Sequence, residues 1–137
     1  MNEVECKEVA KDVPAATQFL LSYLSFVHVL DDVYDKDKPV SDERLVRVMI
    51  WWSEELLFNP WVRDNAVALW TTVVLGWNSW LDANQWAKQP NPKFFASDVI
   101  KSNYQETVFL LAYLCGGREH MRAMSQKYRE YNFEKGE

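Results

Sequence analysis

The chain has 137 residues, 48% hydrophobic and 15% aromatic, with four Gly and five Pro. That is the composition of one globular domain with a single core, and it excludes a disordered chain. The formal charge of −5 argues against a general phosphate-backbone binder, so no nucleic-acid partner is expected.

Residues 1–12 read as a charged, loose lead-in. Asp12 is placed to cap a helix with Pro14 in its first turn. That helix carries Leu20, Leu24, Val27 and Asp31 at helical spacing and stops near Lys36, before a turn at Lys38-Pro39. Ser41 is the expected cap of the next helix, with Asp42 and Glu43 favoured in its first turn by the helix dipole. Asn59-Pro60 is a restart signal for a third, long helix to about Lys88, in which Gly76 is a candidate kink. Gln89-Pro90-Asn91-Pro92 is a loop. The fourth helix starts near Pro92 or Ser97 and ends at Gly116-Gly117. A fifth carries Met121, Met124, Tyr128 and Tyr131, and residues 134–137 read as a loose end.

No strand pattern competes with the helical spacing. The expected fold is therefore all-α, a single-domain antiparallel bundle of about five helices spanning 1–137. Leu24, Val27, Met49, Trp52, Trp70, Trp77, Phe109 and Tyr113 are the expected core. Two distant cysteines, Cys6 and Cys115, and no C-x-x-C point to a reducing cytoplasm. No basic-then-apolar leader and no long apolar run are present, so neither a secretory signal nor a membrane association is expected.

The chemistry-bearing residues fall in two sets. His28, Asp31, Asp32 and Asp35 crowd one side of a helix at its C-terminal end, where the dipole disfavours acids. Asp98, Ser102 and Glu106 stand at i, i+4 and i+8 on the fourth helix. In an up-and-down bundle both sets reach the same end, together with Asn78 and Asp82. Carboxylates with a hydroxyl suit Mg²⁺ or Mn²⁺, which commonly hold phosphate or diphosphate oxygens. The alternative is that the acids solubilise a helix end, with Lys36 and Lys38 offsetting them.

Asp31-Asp32-Val33-Tyr34-Asp35 resembles the aspartate-rich DDxxD motif of class I terpenoid and isoprenyl diphosphate synthases. Asp98-Val99-Ile100-Lys101-Ser102-Asn103-Tyr104-Gln105-Glu106 is similar to that family's second motif, with Val99 where an acid is common. The resemblance implies an all-α fold and Mg²⁺ ions ionising an allylic diphosphate. By it, Asp31, Asp35, Asp98, Ser102 and Glu106 would be the metal ligands.

His28 is a candidate acid–base group or a packing residue. Arg118, Arg122 and Arg129 share one side of the fifth helix and either face a phosphate or form a solvated edge. Trp51 and Trp52 are adjacent and point about 100° apart, which leaves one of them near an interface. Two functions remain open. One is a Mg²⁺-dependent site for a diphosphate-containing small molecule or nucleotide, with Asn78, Asp82, Arg122 and Arg129 toward the substrate. The other is a non-enzymatic helical interaction or homo-oligomerisation module, of the kind found among phage or bacterial accessory proteins.

Overall fold

A computed structural model describes residues 1–36, 38–90 and 93–134, the side chains of 93–95 and 130–134 excepted. Asp37, the Asn91-Pro92 part of the expected loop, the Tyr131 side chain and the tail from Lys135 lie outside the described residues. The fold is all-α, and no strand occurs among the described residues. The chain divides into two compact units, Met1–Asn65 and Ala66–Glu137.

The first unit contains α1 (Glu3–Val9), α2 (Pro14–Asp35), α3 (Asp42–Phe58) and α4 (Pro60–Asp64). The segment expected to be loose holds α1. Asn2 caps it, accepting from the Glu5 N–H while the Glu5 carboxylate accepts from the Asn2 N–H, each at 2.9 Å. Cys6 and Val9 on α1 are buried, and α1 packs on α2. Asp12 is not the cap of α2. It takes a left-handed backbone, φ 60°, next to Lys11 at φ 51°, and Val13 occupies the cap position with Pro14 opening the helix. Two consecutive left-handed residues turn the chain sharply between α1 and α2, a conformation Asp tolerates better than most residues.

Helix α2 packs along α3, and α4 closes against both. Aromatic rings fill the space between them. Phe26 stacks on Trp52 with centroids 4.9 Å apart, and Phe19 and Tyr23 lie 5.8 and 6.0 Å from the same indole. Ser41 caps α3 as expected, accepting from the Arg44 N–H at 3.1 Å. Asn59 caps α4 through the Trp61 and Val62 N–H groups, and its amide donates to the Ala15 carbonyl at 2.9 Å. One buried side chain thus joins the start of α4 to the start of α2. The long third helix expected from Pro60 to about Lys88 is interrupted. Its first turn ends at Asn65, whose amide donates to the Trp61 carbonyl at 2.8 Å and competes with helix propagation.

The second unit contains α5 (Ala66–Trp86), α6 (Lys93–Lys101), a 3-10 turn (Ser102–Tyr104) and α7 (Gln105–Glu134). Helix α5 packs on α6, on the 3-10 turn and on α7. Gly76 does not break α5. A β-carbon there would stand 3.4 Å from the Tyr104 Cα, an ordinary contact distance, so the backbone of the 3-10 turn lies close against α5 at this point. Helix α7 is broken at Gly117, φ 86° and ψ −176°, a backbone region essentially confined to glycine. The break falls at the expected Gly116-Gly117 stop. After it the chain folds back, because Arg129 pairs with Glu106 and its guanidinium lies 4.5 Å over the Phe109 ring. Leu69, Val73, Leu111, Ala112, Met124 and Tyr128 are among the buried residues of this unit.

Four of the expected core residues, Leu24, Trp52, Phe109 and, less completely, Trp77, lie inside. Val27 and Met49 are also half-buried. Trp70 and Tyr113 are exposed. The correction at Trp70 has a clear origin: α5 is apolar on both sides, and the side carrying Leu69, Val73, Gly76 and Ala83 is the one buried.

Candidate functional site

Helix α2 brings Asp31, Asp32 and Asp35 to its C-terminal end, where Lys36 closes the helix in a left-handed conformation. Asp31 and Asp35 are half-buried, and His28 one turn earlier is exposed. The cation set against this negative pole comes from α3. Arg44 Nη1 donates to Asp32 Oδ2 at 3.1 Å, with both side chains partly buried. Reading the sequence as local stretches missed Arg44. The signal was available, because a hairpin turning at Lys38-Pro39 places residues 32 and 44 opposite each other.

The second set does not share one helix face. Asp98 is exposed on α6, and Ser102 opens the 3-10 turn, its hydroxyl donating to the Val99 carbonyl at 2.7 Å. Glu106 follows in the first turn of α7, where it takes the Arg129 guanidinium. Each 3-10 residue turns the chain about 120° instead of 100°, so the turn swings Glu106 roughly 60° off the line through Asp98 and Ser102. The i, i+4, i+8 alignment assumed an unbroken α-helix. Asn78 and Asp82 are exposed on α5, and Arg118 and Arg122 are exposed just beyond the Gly117 break. Arg129, read as facing a phosphate or forming a solvated edge, is the partner of Glu106.

Among the described residues, no group of three or more His, Cys, Asp or Glu side chains is placed to hold a metal ion. Burial pushes the Cys6 and Cys115 thiols up to about 11, so neither supplies a thiolate at neutral pH. No described helix is long and apolar enough to cross a membrane.

A recess lies elsewhere in the first unit, along the outer face of α3. An open depression of about 660 Å³ is lined there by Val46, Ile50 and Trp51, together with Arg47 and the acids Asp42, Glu43 and Glu54. The adjacent indoles divide the helix between two environments. Trp52 belongs to the aromatic core, whereas Trp51 turns away from it and lines the depression. Val46 and Ile50 are each 54% exposed, so this face presents apolar surface within an acidic border.

No family model, no curated protein and no solved structure matches this chain.

Proposed function

We propose that this chain is a non-enzymatic helical interaction module whose first unit receives an amphipathic helix of a protein partner along the outer face of α3. The observation that carries the reading is the apolar strip of Val46, Ile50 and Trp51 inside a border of Asp42, Glu43 and Glu54. An apolar helix stripe with basic flanks matches that surface in both hydrophobicity and charge. Arg47, also on this face, sets one positive point within the border and favours a partner with an acid at the matching position.

Calorimetric titration with a synthetic helical peptide bearing a leucine stripe and lysine flanks tests the reading. A peptide of identical composition, scrambled to destroy its amphipathic pattern, is the control. Saturable binding of the first peptide alone, weakened about tenfold or more by Ile50→Glu, is the expected result. Equal binding of both peptides, or an Ile50→Glu variant that binds as the wild type does, refutes it.

The Mg²⁺-dependent reading, with a diphosphate-containing ligand, draws its support from the gathering of Asp31, Asp32 and Asp35 at the negative pole of α2. Against it stand the guanidinium partners of Asp32 and Glu106 and the hydrogen bond of Ser102 to the Val99 carbonyl. Titration with Mg²⁺ and inorganic diphosphate separates the two readings. Only the second requires heat that vanishes in Asp31→Asn.

A further inference from the structure

Helix α5 is built for two neighbours. Its inner side packs within the second unit. Its outer side is as apolar as its inner side, with Val67 84%, Trp70 43%, Val74 47% and Leu81 57% exposed. With the half-buried Trp77, these residues fall at alternating three- and four-residue steps, the spacing of a heptad seam over two full repeats. We propose that this stripe is an association surface on which a second copy of the chain lays its own α5.

Charge points to a second copy over other partners. Asp82 is the single charged residue among the 21 of α5, in a chain whose net charge is −5. Two copies repel one another over most of their surface, and this face is where they meet at least electrostatic cost. Neutral Thr71, Asn78 and Gln85 on the same side give a charged ligand no handle. A lipid surface is disfavoured because interfacial helices carry Lys and Arg beside the apolar face, and α5 has neither.

Area supports the same occupant. The exposed parts of the four seam residues amount to on the order of 300 Å² of apolar surface per copy. At the usual apolar share of an interface this implies about 500 Å² per partner, which reaches the ~1,000 Å² in total that a specific interface needs. The two indoles are also pre-organised. Trp70 and Trp77 meet edge to face with centroids 5.6 Å apart, which limits the side-chain freedom lost on association.

Analytical ultracentrifugation of the full chain over roughly a hundredfold range of concentration is the test, because a dimer dissociates by mass action. Val74 lies at the middle of the stripe and faces its own counterpart in an in-register pair, so Val74→Glu and Val74→Lys each place like charges across the contact. Each variant alone is expected to associate about a hundredfold more weakly than the wild type, with an unchanged far-ultraviolet spectrum. An equimolar mixture of the two is expected to associate again, which a variant that had merely lost its fold cannot do. A wild type that stays monomeric throughout overturns the proposal. So does a mixture that fails to associate while the wild type does, or an association abolished by Ile50→Glu on α3 and untouched by the Val74 pair. That last result would leave the role of the α3 face standing and remove only the α5 seam.

Discussion

Replacing Trp52 by alanine tests the core of the first unit, and replacing Trp51 in parallel tests the assignment of its neighbour to a surface. Trp52 is 6% exposed and touches the rings of Phe19, Tyr23 and Phe26. Truncating a buried indole costs about 3–5 kcal/mol, since transfer and cavity terms add. The three ring pairs place this residue at the upper end of that range, each being worth roughly 0.5–1.5 kcal/mol beyond area burial. A unit of this size is stable by only about 3–10 kcal/mol, so Trp52→Ala removes a large part of what holds α2 to α3. Trp51 lines the open depression, and Trp51→Ala is expected to cost less than about 1 kcal/mol. Urea denaturation of the full chain, followed by circular dichroism at helical wavelengths, reads both. An unchanged midpoint for Trp52→Ala, or equal losses for the two variants, would show that the aromatic cluster does not organise this unit.

Three further substitutions probe other parts of the physical account. Gly117→Ala meets no atom of the described residues within 4 Å of its new β-carbon, so its cost is conformational and is expected at about 1–3 kcal/mol in the same denaturation assay. Thr107 is fully buried and its hydroxyl has no partner among the described residues, and Thr107→Val is expected to raise stability by about 1 kcal/mol, read as a higher urea midpoint. The thiol of Cys6, raised mainly by burial from 9.0 to about 11, stays protonated in the folded chain where the unfolded chain releases its proton. Its contribution is therefore full below pH about 9 and declines as pH rises toward about 11, and Cys6→Ala is expected to flatten that part of the stability–pH curve.

The parts of the fold written in local chemistry were legible. Ser41, Asn59-Pro60 and Gly116-Gly117 mark helix ends through a hydroxyl, an amide, a ring and a missing side chain, and each acts within a few residues of itself. The ion pairs were not read, because Asp32–Arg44 and Glu106–Arg129 join residues far apart in sequence. Both pairs nonetheless lie nearly symmetrically about the turns at Lys38-Pro39 and Gly117, so a hairpin assumption at each turn would have found them. The 3-10 turn at Ser102–Tyr104 left no such mark. It lies where the backbone of the turn approaches α5 at Gly76, a tertiary fact that no local pattern carries.

Hydrophobic periodicity has a more basic limit here, which bears on function. A stripe at helical spacing says that a face is apolar, and it does not say what covers that face. Helix α5 has such a stripe on both sides, so Trp70 on the outer side looks as core-like in sequence as Leu69 on the inner side. Helix α3 repeats the ambiguity with Trp51 and Trp52. Within one fold a second apolar face costs solubility and returns no packing, which makes an excess of such faces informative in itself. Trp70, which sequence spacing assigned to the core, thus belongs with Val74 and, on α3, Ile50 among the apolar side chains that no packing within the chain explains.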